Sequence, residues 1–197
     1  MIRRARMLAV LGFLLAGAIG IISSTQTWIT VRRADGGEDL LVAGADAVAL
    51  LAPLSLAVLA LGAALSIAGR VLRYVFGTLG AAGAVVLLVS TIPLAVDPPL
   101  VVVAADVTEV TGLAGDDALH TIVAGLVPTA WPSVAVAAWV LLLLASVFVL
   151  VTAHRWKSGG RRYRSASEAE HHESGPLDAV DSWDELSHGT DPTDTAR

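Results

Sequence analysis

The sequence predicts an all-α integral membrane protein with four transmembrane helices, a small exported β-hairpin and a mostly disordered cytoplasmic tail. Composition points there first: 55% of the 197 residues are hydrophobic and 16% are charged, whereas soluble domains carry about 25% charged residues. With a mean hydropathy of +0.70, the apolar excess needs lipid as well as a core to receive it. Second, residues 7–24, 47–69, 74–96 and 132–153 contain no Asp, Glu, Lys, Arg or His. Each run suits the about 17–25 residues that cross roughly 30 Å of hydrocarbon. Third, basic residues collect on alternate sides of these runs. The chain thus reads as a transmembrane domain, residues 1–153, with exported loops at 25–46 and 97–131, followed by a polar tail at 154–197.

The first run follows Arg3, Arg4 and Arg6, a basic flank that suits either a signal peptide or a first span. The run is long for a signal h-region, and Ser23, Ser24, Thr25 and Gln26 offer no small-x-small cleavage site, so an uncleaved span is expected. Arg70 and Arg73 lie between the second and third runs, and Arg155, Lys157, Arg161, Arg162 and Arg164 follow the fourth. With the N-terminal arginines this makes ten basic residues on one side, against Arg32 and Arg33 on the other. Basic residues near span ends face the cytoplasm. Both termini are therefore expected in the cytoplasm, with a multi-pass plasma-membrane location.

Several function classes are excluded or disfavoured. A net charge of −5 argues against nucleic-acid binding, which calls for a basic surface. The absence of cysteine removes disulfides, thiol catalysis and thiolate metal sites. An ionisable group inside a span marks an ion path or proton relay, and none is present in the four runs. Ser55, Ser66, Thr78, Ser90, Thr91 and Ser146 supply hydroxyls there, which are expected to bond their own helix backbone. Small residues recur at Gly12, Ala16 and Gly20, at Ala60, Ala64 and Ala68, and at Gly80 and Ala84. Such stripes let helices approach closely; packing within one bundle is expected, with a homo-oligomer seam as the alternative. Pro53 and Pro93 predict kinks.

In the first exported loop, residues 27–33 alternate, with Trp28, Thr30 and Arg32 on one face and Ile29, Val31 and Arg33 on the other. Asp35, Gly36 and Gly37 supply a turn and Leu40, Leu41 and Val42 a returning strand, which together make a hairpin. Trp28 is expected to serve as an interfacial anchor. The second loop holds β-branched stretches at 100–103 and 107–111, then a short helix at 117–123 with Asp116 as its N-cap. His120 has no partner at metal-ligand spacing and is read as surface.

The tail opens with a basic stretch, 155–164, which suits a stop-transfer flank or anionic headgroups. A Ser-, Glu- and His-rich linker follows, where His171 and His172 lack a third ligand, so no metal site is expected. Within 177–188, Leu177, Val180, Trp183 and Leu186 recur every three residues among Asp178, Asp181, Asp184 and Glu185. On a helix this makes one apolar stripe, ended by Gly189. An amphipathic segment on an acidic tail suits insertion into a partner's groove; lying back on its own bundle or remaining unfolded is the alternative.

The residues also carry a family resemblance. Trp28 in Thr27-Trp28-Ile29-Thr30-Val31, Gly44 and Pro53, and the pair Trp131-Pro132 form one set. Arg155-Trp156, Arg162-Tyr163, and Trp183-Asp184-Glu185-Leu186 followed by Gly189-Thr190-Asp191-Pro192-Thr193 form another. Together they resemble the actinobacterial tryptophan-associated membrane proteins, whose genes lie within or beside tryptophan-biosynthesis operons. The chain departs from that pattern at Gly159-Gly160-Arg161. The resemblance implies a four-helix membrane protein linked to tryptophan biosynthesis, with no established reaction.

The sequence-based reading is a non-enzymatic accessory or scaffold, without cofactor, that contacts the bilayer. It would present Leu177, Val180, Trp183, Leu186, Asp191 and Pro192 to a cytoplasmic partner. The alternative is a transporter of an aromatic amino acid or intermediate, acting as an oligomer. No Ser/His/Asp set, phosphate-cradling loop or metal cluster supports an enzyme.

Overall fold

The computed structural model describes residues 2–155. The chain divides into two units, Met1–Lys157 and Ser158–Arg197, and the fold described is that of the first. It begins with α1 (Ile2–Ser24), then strands β1 (Thr27–Arg33) and β2 (Leu40–Ala43). The short α2 (Gly44–Ala47), α3 (Leu51–Leu65) and α4 (Arg70–Val96) follow. The stretch between α4 and the last helix forms a 3-10 turn (Leu100–Val103), α5 (Ala104–Thr111), α6 (Asp116–Ile122) and β3 (Val123–Pro128). Helix α7 (Trp131–Thr152) closes the bundle, and a final 3-10 turn spans Ala153–Arg155.

Three of these helices, α1, α4 and α7, are long and apolar enough to cross a membrane. The second span expected at 47–69 is instead a 15-residue helix, α3, which is about 22 Å long. Its ends explain the shortening. Val48, Ala49 and Leu50 lie outside any helix, and α3 starts with Pro53 in its first turn, where a missing N–H costs nothing. The kink expected at Pro53 is thereby corrected: this proline sits at a helix start. At the other end the Ser66 N–H and hydroxyl both donate to the Ala63 carbonyl, at 3.1 and 2.6 Å, and the Ile67 N–H donates to Ala64 at 3.2 Å. These tighter i−3 bonds end the helix. Pro93, by contrast, lies inside α4.

Helix α1 packs against α3 and α7, and α4 against α7. The contacts run through small residues. A methyl group added at Gly12 would lie 2.9 Å from Ala145 Cβ, one at Gly62 2.9 Å from Phe13 Cβ, and one at Gly80 2.5 Å from Phe13 Cε1. Gly12, Ala16, Gly20, Gly80 and Ala84 are all buried, so these stripes serve packing within the bundle. The stripe expected at Ala60, Ala64 and Ala68 is corrected. Helix α3 buries Leu51, Ser55, Val58, Gly62 and Leu65, Ala60 is exposed, and Ala68 lies beyond the helix end. Phe13 and Trp139 are fully buried.

At one end of the bundle the strands form one antiparallel sheet in the order β2-β1-β3. Thr30 pairs with Leu41 and Val31 with Leu40, as a hairpin requires. The third strand comes from the far loop, with Val31 opposite Leu126 and Thr30 opposite Val127. The β-branched stretches at 100–103 and 107–111 are helical rather than extended. Helix α5 is ended by Gly112 at φ 70°, the left-handed cap that glycine favours. Helix α6 has Gly115, not Asp116, as its N-cap, and Asp116 and Asp117 occupy its first turn, where carboxylates meet the positive end of the helix dipole. Buried residues of the cap (Trp28, Ile29, Val31, Val103, Val107) and of the bundle (Phe13, Leu87, Trp139) form one continuous apolar cluster.

Candidate functional site

Trp28, Gly44 and Trp131, three of the residues that carried the resemblance, meet at the junction of the bundle with its cap. Trp28 is fully buried, which corrects its reading as an interfacial anchor. A bulge in the β1–β2 pairing between Thr27 and Ile29 breaks the alternation, so Trp28 and Ile29 are both buried. The Trp28 indole N–H donates to the Ser23 carbonyl at 2.9 Å and the Ser23 hydroxyl at 3.0 Å. The ring thus bonds one of the C-terminal carbonyls of α1 that lack a helical donor. Burying such a ring removes roughly 200 Å² from water, an upper bound of about 5 kcal/mol.

Gly44 explains itself in the same place. A methyl there would stand 2.6 Å from Trp28 Nε1 and 2.8 Å from the Ser23 carbonyl oxygen, so only hydrogen fits. The Gly44 N–H donates to the Gln26 carbonyl at 3.0 Å, fastening the chain at the start of α2. Thr129 binds the opposite side: its N–H donates to the Trp28 carbonyl at 2.8 Å and its hydroxyl to the Thr27 carbonyl at 2.7 Å. Its oxygen also accepts the Trp131 N–H at 3.3 Å. Trp131 and Pro132 then start α7, where proline is preorganised for a first turn. Ser23 and Thr129 had no signal in the sequence, since neither stands in a recognisable motif.

The hairpin turn is held by charge. Arg33 Nε donates to Asp35 Oδ1 at 2.9 Å, a second bond joins Arg33 Nη2 to Asp35 Oδ2, and the Gly37 N–H donates to Asp35 Oδ1 at 3.1 Å. Arg33 and the Gly37 N–H hold the Asp35 carboxyl below its usual range. Asp106 on α5 moves the other way, raised by burial and then by the charges of Asp46 and Glu109. Among the described residues no group of three or more His, Asp or Glu could hold a metal ion, and His120 is exposed. The tail residues Leu177, Val180, Trp183, Leu186, Asp191 and Pro192, with His171 and His172, lie outside the described residues.

Helices able to cross a bilayer, closed at one end by a small sheet locked through Trp28, define a multi-pass α-helical membrane protein. A family model for tryptophan-associated transmembrane proteins matches residues 10–193, and the chain belongs to that family. No curated protein and no solved structure matches it.

Proposed function

We propose that the protein is a non-enzymatic accessory or scaffold of the plasma membrane, linked to tryptophan biosynthesis, whose distal tail docks a cytoplasmic enzyme or regulator of that pathway. One observation carries the reading: the family match runs to residue 193. The string from Trp183 to Thr193 is thus shared family sequence rather than an appendage. Leu177, Val180, Trp183 and Leu186 supply the apolar stripe, and Asp191 and Pro192 follow it.

In this reading α3 is the fourth crossing, and both termini are cytoplasmic. The contacts of Gly17 with Leu59 and of Gly62 with Phe13 run α3 antiparallel along α1, so its 15 residues cover about the same depth as residues 10–24 of α1. Transport by an oligomer is the rival. It needs a path through or between bundles, and the burial of Phe13 and Trp139 favours the accessory reading.

Complementation separates the two. In cells lacking the protein, Trp183→Ala with Leu186→Ala should insert at the wild-type level yet fail to restore tryptophan-pathway output. A tail deletion that restores it fully would sink the docking reading.

A further inference from the structure

Charge is divided unevenly between the two ends of the bundle. Among the described residues the nine acidic side chains all lie between Asp35 and Asp117, on the stretches that join helices at the sheet end. At the other end stand Arg6 on α1 and Arg70 and Arg73 on α4. The helix contacts bring these arginines together. Gly12 meets Ala145 and Gly20 meets Trp139, while Gly80 meets Ser146 and Gly77 meets Val149. Helices α1 and α4 therefore both run antiparallel to α7 and parallel to each other, with Phe13 against Gly80.

Arg6 and Arg73 stand about two helical turns before that contact on their respective helices, and the Arg6 charge acts directly on Arg73. Arg73 is 3% exposed, a cation held in the seam, whereas Arg6 and Arg70 are exposed. Like charges so placed repel, and an anion shared among them relieves the repulsion. Helix α4 starts at the same place. Its N-cap, Gly69, offers no side chain to the first N–H groups, and among the described residues nothing lies within 4 Å of where a methyl on Gly69 would stand. Open N–H groups and the helix dipole both favour an anion there. Alongside, Met7, Leu8 and Leu11 of α1 and Val71, Val75 and Leu79 of α4 are apolar and exposed.

We propose that Arg6, Arg70 and the start of α4 bind the phosphate of an anionic phospholipid, with Arg73 adding its charge from behind. Guanidinium groups match phosphate oxygens in paired hydrogen bonds. The exposed apolar side chains beside them take the acyl chains, which is what selects a lipid over a free phosphate. A zwitterionic lipid brings a cation of its own against the arginines, so the headgroup must carry net negative charge. The site does not depend on what the tail docks.

The test is lipid binding by the full chain, purified in mild detergent, stripped of lipid and titrated with phosphatidylglycerol under native mass spectrometry. Phosphatidylglycerol should bind in preference to phosphatidylcholine. Arg6→Gln with Arg70→Gln should weaken that binding by roughly 30-fold, and Arg6→Gln alone by roughly fivefold. Arg162→Gln with Arg164→Gln removes the same charge from the tail and should bind as wild type does. Melting curves in lipid-free detergent should be the same for all of them, which separates lost binding from lost fold. Equal binding of phosphatidylcholine would overturn the proposal, as would equal losses from the two charge-matched pairs. Displacement of the lipid by millimolar inorganic phosphate would overturn it too, by reassigning the site to a soluble anion.

Discussion

Trp28 reaches back five residues to Ser23, bonding both its carbonyl and its hydroxyl at 2.9 and 3.0 Å, and so ties strand β1 to the end of helix α1. Gly44 lies against the same indole. Gly44→Ala should therefore force the ring or the start of α2 to move, at a cost of about 2 kcal/mol, a fall in Tm of ~4–8 °C. Thermal unfolding of the purified protein, followed by near-UV circular dichroism, measures it. An unchanged Tm would mean that the junction has slack.

Two glycines on α4 make a controlled pair. A side chain at Gly80 meets Phe13 and Ser146, whereas one at Gly83 meets nothing within 4 Å. Gly80→Leu should lower the yield of monodisperse protein and cost ~3 kcal/mol or more through overpacking, while Gly83→Leu should match wild type. Size-exclusion profiles of the two variants decide the matter, and equal damage from both would point to a contact that Gly83 makes with another molecule.

Asp106 gives a pH-dependent prediction. Its carboxyl is raised above the ordinary value of 3.8 by burial and by its acidic neighbours Asp46 and Glu109. The folded state therefore holds that proton more tightly than the unfolded chain. The contribution is fully present below pH 3.8 and is lost as pH rises through the raised value. Asp106→Asn should raise Tm at neutral pH, by no more than ~2 °C given solvent screening, and the gap should close near about pH 3. Paired melts across that range test the sign.

The number of crossings is open to direct labelling, since the chain has no cysteine. Single cysteines in place of Glu38 and Asp117 should react with an impermeant maleimide on intact cells. One in place of Arg70 should react only after lysis. Labelling of all three from outside would mean that neither α3 nor α4 crosses.

Much of this architecture was legible in the sequence, and its failures have physical causes. The hairpin was readable because residues 27–33 alternate and Asp35-Gly36-Gly37 encodes its turn; the strands form at Thr27–Arg33 and Leu40–Ala43. Strand β3 was not, because Val123-Ala124-Gly125-Leu126-Val127-Pro128 has neither alternation nor a local partner and pairs with β1 far away in the chain. Trp28 was misplaced because a bulge, invisible in the sequence, turns two successive residues inward. The uncharged run at 47–69 fixed apolarity but not helix ends, which depend on Pro53 and on the i−3 bonds at Ser66 and Ile67. Thr91 shows the limit from the other side: its hydroxyl was expected to bond its own helix, as Ser90 does at 2.9 Å, and it does not.

The docking role of the tail is tested most directly by affinity capture from solubilised membranes, comparing the intact chain with one ending at Arg164. The account predicts that a cytoplasmic tryptophan-pathway protein comes down with the intact chain alone, and that Trp183→Ala with Leu186→Ala loses it. Identical captures from the intact and shortened chains would contradict it.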